Sequence, residues 1–488
     1  MGITMLVQLY TSRIVLNALG VDDYGIYNVV GSFIVAFTFI SGPLGTATQR
    51  FLSFELGKGC EGKLNTVFNL SFYIYIILSL ALLAIIEISG IWFIEHKMVL
   101  PEERMEAAVF AFHLSVLSLM FSLLKTPFES LIVAHEKMVF YAYMSIVDVL
   151  LKLLNAFSLL YIVTDKLKLY ASNQLIVSII VFSIIVIYCR RSFKTVKIGK
   201  VWDKRIFNDL LNFSGWSLFG SVASMTANQG LNILLNMFYG VAVNAAMGIA
   251  NQINASVNQF VANFQVAFRP QIVKYYAAGD IKQLNRLIIN SSKYSYLLLF
   301  ALVCPFCFNI DFILELWLKN PPEWAAEFTI FMLIYALLET LSAPMWMTVQ
   351  ATGKIRNYQL IISCLIFMNI ILSYVFLKLG FSPTIVLVIK CCLDVTYLIT
   401  RILFMKAKVQ FPVCIYMKEV LLRICIITVA SLLVMYFIAD FLSDGWMRII
   451  VLCVVFAVLY FLLVYFIGIN VDERKKTILF LKKKCHRL

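Results

Sequence analysis

The chain has 488 residues, of which 61% are hydrophobic and only 14% are charged, and its mean hydropathy is +0.88. A soluble protein carries roughly a quarter of charged residues, so a soluble fold is excluded. The formal net charge is +14, but Lys and Arg concentrate between apolar stretches and at the C-terminus, as in membrane proteins, so the charge does not indicate nucleic-acid binding.

The first half of the chain contains six predicted membrane helices, because apolar runs of about 20 residues recur along it. The first ends at a turn over residues 20–23, and the second bends at Gly42-Pro43. A basic cytoplasmic connector follows the sixth helix. The six helices cover about residues 3–19, 24–54, 64–93, 105–124, 138–163 and 169–189.

The second half contains eight more predicted helices, so we expect an all-α polytopic protein with about fourteen spans. Pro305 and Pro344 each remove a backbone hydrogen bond and permit a kink. Alternate connections are rich in Lys and Arg, which predicts that both termini are cytoplasmic. The seventh and eighth helices lie within residues 211–271, and the others cover about 287–318, 325–350, 358–377, 383–404, 420–441 and 447–467.

The chain repeats itself at an offset of 219–220 residues. Six predicted helices separate the two copies, and because six is even the repeat is parallel. Two six-helix lobes in parallel pseudo-repeat would enclose a central cavity and give alternating access by rocking. The matching pairs include Gly20 with Gly240, Arg50 with Arg269, Gly59 with Gly279, and Asn65 with Asn285.

This repeat predicts four parts of the chain. They are an N-terminal six-helix lobe (1–189), a basic cytoplasmic connector (190–210), a C-terminal six-helix lobe (211–405), and two extra helices with a basic cytoplasmic tail (406–488).

Amides crowd the seventh and eighth helices. Side-chain amides are unfavourable in lipid unless they meet other helices or water. The amides on one face of the eighth helix therefore predict that this face lines a polar cavity that binds substrate. A single amide could instead fasten two helices together. The seventh helix carries Asn228, Asn232 and Asn236; on the eighth, Asn244, Asn251, Asn258 and Gln265 recur every seven residues, with Asn254 on the same face.

Three arginines are candidates for binding an anion. Arg13 lies mid-span, where a charge facing lipid is costly, so it should face water or an anion. Arg50 and Arg269 occupy equivalent places in the two copies, and guanidinium groups suit phosphate because their donors meet two oxygens at once. The alternative for Arg50 and Arg269 is contact with lipid headgroups.

Ionisable residues within the spans are candidates for H⁺ or Na⁺ coupling. Asp148 and Lys152 are spaced i, i+4 in the fifth helix, where such a pair either joins helices or couples ions. Asp394 and Glu339 are lone intramembrane carboxylates and weaker candidates for the same role. No nucleotide-binding, metal or catalytic motif is present, so we expect no enzyme activity, metal or organic cofactor.

Four stretches of the sequence resemble bacterial Wzx-type polysaccharide flippases, which belong to a larger group that includes the MATE exporters. They are residues 9–20 (LYTSRIVLNALG), 23–31 (DYGIYNVVG), 47–53 (ATQRFLS) and 127–137 (PFESLIVAHEK). One departure is that the first helix lacks the longer basic lead of the family, so a start further upstream is an open alternative.

The resemblance implies a multi-pass protein of the bacterial inner membrane that functions in polysaccharide and lipopolysaccharide biosynthesis. It would move undecaprenyl-diphosphate-linked units of O-antigen, capsule or exopolysaccharide from the cytoplasmic to the periplasmic leaflet. Arg13, Arg50 and Arg269 would hold the diphosphate. The partners implied are this lipid-linked oligosaccharide, membrane lipids, a polysaccharide polymerase and glycosyltransferases.

Two other functions stay open. A cation-coupled multidrug exporter of MATE type is expected to have an ion-binding carboxylate in the first helices, yet the first helix has none before Asp22. A membrane polymerase or ligase of polysaccharide is expected to use a large external loop, and no predicted external loop exceeds about a dozen residues.

Overall fold

The computed structural model describes residues 2–35, 41–59, 61–97, 102–161, 165–194, 196–199, 201–442 and 445–469. These residues are predominantly helical and include no strand. Nine of the described helices are long and apolar enough to cross a membrane. The predicted fold class, an all-α polytopic membrane protein, is therefore confirmed.

The chain forms two compact units. Unit 1 comprises Met1–Ser221 with Tyr276–Ala278, and unit 2 comprises Val222–Tyr275 with Gly279–Leu488. The division into four parts, with boundaries at 189, 210 and 405, stays a prediction.

Seven helices contribute to unit 1. They are α1 (Gly2–Val35), α2 (Ser41–Gly57), α3 (Glu61–Lys97), α4 (Met105–Ala134), α5 (Met138–Tyr161), α6 (Lys166–Ser192) and the start of α7 (Lys204–Val266). The central helix is α4, which packs against α1, α2, α3, α5 and α6. It continues through Pro127 to Ala134, so the predicted end near residue 124 is wrong.

A sharp turn at Gly20 divides α1 into two arms. Gly20 has a φ of 79° and a ψ of 172°, a conformation that is essentially restricted to glycine. Val15 of the first arm shares a hydrophobic cluster with Ala156 of α5. Val30 of the second arm instead belongs to a cluster with residues of α3 and α4, such as Ala108. Since the two arms pack against different helices, the first arm is the first predicted helix. The second arm and α2 together fall within the second predicted helix, residues 24–54, whose predicted bend at Gly42-Pro43 lies at the start of α2.

The helices of unit 2 follow the same order as those of unit 1. They are the rest of α7, α8 (Arg269–Ala278), α9 (Ile281–Cys307), α10 (Ile310–Leu318), α11 (Ala325–Thr352), α12 (Arg356–Lys378), α13 (Ile385–Val409), α14 (Val413–Asp440) and α15 (Trp446–Gly468). In unit 2, α11 packs against α9 and α13, as α4 packs against α3 and α6 in unit 1. The last two helices pack against each other and against α9.

The predicted repeat is visible in the backbone. Gly240 divides α7 into two arms with a φ of 78° and a ψ of −168°, close to the angles of Gly20. The matched Gly59 and Gly279 have φ values of 70° and 74°. Positive φ values at two matched pairs show that the two copies make the same turns. The parallel arrangement of the two lobes stays a prediction.

Matched asparagines make equivalent ties in the two units. The backbone N–H of Lys197, just after α6, donates to Asn65 Oδ1 of α3 at 2.9 Å. The amide of Asn285 in α9 donates to the carbonyl of Val409, the last residue of α13, at 3.4 Å. In unit 1 the third helix is thereby bonded to the segment that follows the sixth helix, and in unit 2 it is bonded to the last residue of the sixth helix.

Candidate functional site: an amide groove and a charged helix pair in unit 2

The two arms of α7 form a groove in unit 2. Leu231 and Leu235 of the first arm belong to one hydrophobic cluster with Ala246 and Ala250 of the second. Small residues such as alanine allow two helices to approach closely. The arms line an open cavity of about 630 Å³. Its polar lining consists of Gln229, Asn232, Asn236, Asn244 and Asn251.

The predicted amide stripe divides into two parts. Asn244 and Asn251 lie in the groove. Further along the arm, Asn258 donates to Asn254 Oδ1 at 3.2 Å, so these two amides are hydrogen-bonded to each other. Gln265 is buried, and its Nε2 has no hydrogen-bond partner among the described residues. A seven-residue repeat drifts around a straight α-helix by about 20° per heptad, so such a stripe does not stay on one line along the arm.

The groove is polar, and its lining carries no charge among the residues that the structure describes. Every polar side chain that lines it is an amide, and the remaining lining residues are Ile233, Met237, Ala245 and Gly248. An amide both donates and accepts hydrogen bonds, so neighbouring amides can bind either partner of a hydroxyl group. The groove therefore suits a neutral ligand rich in hydroxyl or amide groups.

The three predicted arginines have different surroundings. Arg50 is only 7% exposed, and its guanidinium lies among phenylalanine rings, 4.5 Å from the centroid of Phe51. This burial is unlike that of a side chain reaching for lipid headgroups. Arg269 is partly buried at the first position of α8. Arg13 lies in the first arm of α1, and its side chain falls outside the described residues. Their binding of diphosphate stays a prediction.

The predicted pair of the fifth helix belongs to a charged cavity in unit 1. Lys152 donates to Asp148 at 2.7 Å, and Lys125 pairs with Glu129 at 3.1 Å. Three of these residues, with Tyr141, line a cavity of about 150 Å³. Each carboxylate is paired with a lysine of its own helix, so both ion pairs are intrahelical, and a role in fastening helices stays a prediction. A role in ion coupling stays a prediction.

Two cations of α13 in unit 2, Lys390 and Arg401, were missed at the level of sequence, although Asp394 of the same helix was a candidate. Lys390 on α13 lies 4.4 Å above the ring centroid of Tyr335 on α11 and donates to Asn228 Oδ1 of α7 at 3.4 Å. Asn228 precedes Asn232 by one helical turn, so it continues the polar face of the groove. Lys390 thus connects α13 with this face.

Arg401 secures the other end of α13 against its neighbours. Its Nε donates to the hydroxyl of Tyr358 on α12 at 2.7 Å, and its Nη1 donates to Ser342 on α11. Between the two cations lies the predicted Asp394, which is 2% exposed. The sequence signal was their spacing, since Lys390, Asp394 and Arg401 fall on one face of one helix.

No family model matches this chain, and no curated protein matches it. Solved structures do. A multidrug resistance MATE family transporter of the MOP superfamily, in an outward-facing conformation, matches with a TM-score of 0.69 and 14% identity over 84% of this chain and 93% of that one. A MOP superfamily transporter from Pyrococcus furiosus, whose binding pocket of reverse polarity suggests a different function, matches with a TM-score of 0.68 and 15% identity over 84% and 93%. A MATE in the straight conformation matches at 0.68 and 15% over 83% and 92%. The chain therefore has the fold of the MATE transporters of the MOP superfamily.

Proposed function

We propose that this protein is a membrane transporter that flips undecaprenyl-diphosphate-linked oligosaccharide from the cytoplasmic to the periplasmic leaflet of the bacterial inner membrane. The observation that carries the proposal is the groove of α7, where five amides and no ionisable side chain line about 630 Å³. Sugar hydroxyls both donate and accept hydrogen bonds, and amides match both roles without strong selectivity. The volume lies within the usual range for ligand sites, about 300–1,000 Å³.

The other features of the chain fit an anionic lipid carrier. Arg13, Arg50 and Arg269 offer guanidinium groups, which bind phosphate oxygens in pairs. An interior-negative potential favours outward movement of a dianion by about 4–5 kcal/mol at 100 mV if both charges cross unaccompanied. The fold supports transport in general, and the sequence resemblance to polysaccharide flippases supports this substrate. A polymerase and glycosyltransferases would act on the same lipid-linked sugar.

A cation-coupled multidrug exporter is the second candidate. The fold favours it, because one of the similar structures is a multidrug resistance transporter. The intramembrane carboxylates Glu339 and Asp394 also offer a place for a coupling cation. The groove weighs against it, because a cationic drug is best held by carboxylates or aromatic rings, and neither lines this cavity.

Complementation of a flippase-null strain tests the proposal. Wild type should restore surface polysaccharide on a gel, whereas Asn232→Leu and Asn251→Leu should not, because leucine fills the space but cannot bind a hydroxyl. Gln252→Leu is the matched control, since Gln252 is an exposed amide next to Asn251 that does not line the groove. All variants must reach wild-type levels in the membrane by immunoblot.

Three results would contradict the proposal. Full activity of both groove variants would remove the groove from substrate binding. Equal loss with Gln252→Leu would show that any apolar change in this arm is harmful. If wild type failed to restore polysaccharide but raised the minimal inhibitory concentration of cationic drugs, the multidrug reading would replace this one.

A further inference from the structure

The lining of the α7 groove has a symmetric order about the turn at Gly240. Each residue of an α-helix advances the chain by about 1.5 Å, so equal numbers of residues from the turn place side chains of the two arms at the same level. The lining residues that the structure describes fall into three such levels. Numbered from the turn, level 1 has Asn236 and Met237 with Asn244 and Ala245, level 2 has Asn232 and Ile233 with Gly248, and level 3 has Gln229 with Asn251.

Levels 1 and 3 are alike in their chemistry. Each joins one amide of the first arm to one amide of the second, four residues from Gly240 at level 1 and eleven residues from it at level 3. The interval between the two levels is about 10 Å along each arm. A single sugar ring is shorter than this interval, so a ligand that contacts both levels needs two linked sugars.

Level 2 combines an amide, an apolar side chain and open space. Ile233 lies next to Asn232 on the first arm, and its side chain is 60% exposed. The second arm contributes only Gly248, where an added Cβ would meet no atom within 4 Å. Level 2 can therefore take a substituent that projects from a sugar ring and has both a polar and an apolar part.

The amides of the groove keep their hydrogen-bonding groups for a ligand. In the described part of the chain, none of the five bonds to another residue. Amides just outside the groove do have partners: Asn228 accepts from Lys390, and Asn258 donates to Asn254. Each groove amide thus has two donors and an acceptor oxygen to offer.

We propose that level 2 binds the acetamido group of an N-acetylated amino sugar, while levels 1 and 3 bind hydroxyl groups of this sugar and of its neighbour. The methyl group packs against Ile233 in the space beside Gly248. The N–H and C=O of an acetamido group point in opposite directions, so they need partners on two sides. Asn232 is one partner, and an amide of an adjacent level is the other. This inference rests on the proposed function, because it names the class of sugar that the same groove takes.

The groove should distinguish sugars by the substituent at this one position. A hydroxyl group in place of the acetamido group leaves Ile233 uncovered and makes one hydrogen bond fewer. Burial of a methyl group and one added hydrogen bond contribute roughly fourfold and fivefold to an affinity, so the acetamido sugar should bind at least about tenfold more tightly. An ammonium group loses hydration and meets no carboxylate among the described lining residues, so it should bind most weakly.

Saturation-transfer NMR of the purified full chain in nanodiscs tests the proposal with three disaccharides of the same linkage. They are N,N′-diacetylchitobiose, cellobiose and chitobiose, which carry an acetamido group, a hydroxyl group and an amine at the same ring position. Titration at mildly acidic pH keeps the amines protonated. Diacetylchitobiose should bind at least about tenfold more tightly than cellobiose, and chitobiose should bind most weakly. The strongest saturation should fall on the acetamido methyl group.

Two variants place the acetamido group at level 2. Gly248→Val fills the open space, so diacetylchitobiose should lose its advantage, whereas cellobiose, which has no group at this place, should keep its affinity. Ile233→Ser removes the apolar contact from an exposed position and should also reduce the advantage. Ala255→Val is the matched control, because Ala255 is an exposed small residue of the same arm that does not line the groove. It should behave as wild type.

Each remaining outcome would contradict a defined part of the reasoning. Equal affinity of wild type for diacetylchitobiose and cellobiose, or an advantage unchanged in both Gly248→Val and Ile233→Ser, would overturn the acetamido site while sugar binding stands. Tightest binding of chitobiose would show that the site prefers cations. If no disaccharide bound to a protein that complements the flippase-null strain, the groove would not be the sugar site. Absence of binding together with failed complementation would overturn the proposed function itself.

Discussion

Replacing Gly240 with alanine tests whether the turn that builds the groove depends on glycine. The φ of 78° and ψ of −168° lie in a region that residues with a Cβ rarely adopt. An added Cβ would meet no atom within 4 Å, so the effect is conformational and not steric. We expect Gly240→Ala to lower the free energy of unfolding by about 1–3 kcal/mol. Gly20→Ala should have a similar effect, since its φ is 79°.

The assay is equilibrium unfolding of the purified protein in mixed micelles with an increasing fraction of SDS, followed by circular dichroism. Gly215→Ala is the matched control, because Gly215 lies in the regular first arm of α7 and its added Cβ also meets nothing within 4 Å. Alanine should stabilise a helix there by about 0.5–1 kcal/mol. If Gly240→Ala proved as stable as Gly215→Ala, the turn would not require glycine, and the reasoning from the backbone angles would be refuted.

Three other substitutions probe unit 1. Gly90→Ala would place a Cβ 2.1 Å from Cζ of Phe112, so it should lower the free energy of unfolding in SDS by about 1–3 kcal/mol. Phe112→Leu in the same chain should restore most of this loss. Asn69→Leu removes the hydrogen bonds that Asn69 donates to the carbonyl of Lys197 at 2.8 Å and accepts from the N–H of Gly199 at 2.9 Å. Trypsin should therefore cut the segment around Lys197 about tenfold faster. Asn173→Leu is the control and should not change the rate. Arg104→Gln deprives Asp23 and Asp165 of a shared partner and should lower the free energy of unfolding by about 1–3 kcal/mol. Lys168→Gln should lower it by less than about 0.5 kcal/mol, because its partner Glu106 is 88% exposed. Equal effects of the two substitutions would contradict the ranking by burial.

Hydropathy was sufficient to find the helices but not all of their ends. The turns at Gly20 and Gly240 were predictable, because short polar or glycine-containing breaks separate apolar runs. The end of α4 was not predictable from the sequence, because a proline such as Pro127 usually ends a helix in a soluble protein. In a membrane the backbone has no water to replace lost helical hydrogen bonds, so the helix continues through the proline to Ala134.

The amide groove was predictable in part. The spacing of Asn244 and Asn251 identified one wall, but the second wall, with Asn232 and Asn236, depends on the angle at which the first arm of α7 returns to the second. The charged helices were harder to find. Lys390 lies near the start of an apolar run, where a lysine normally reaches for the headgroups. Only the packing of α13 against α11 gives it a ring and an amide as neighbours instead.

The repeat carries a shared backbone and different chemistry. Arg13 precedes Asn17 by four residues, as Asn232 precedes Asn236, so the repeat matches Arg13 to a residue that lines the groove. A cation at one position and an amide at its counterpart suit an anion at the first position and a hydroxyl at the second. If this division holds, Arg13→Asn should abolish polysaccharide export, and Arg13→Lys should retain part of it because the charge remains. Equal export by both variants would show that the charge at this position does not act on the substrate.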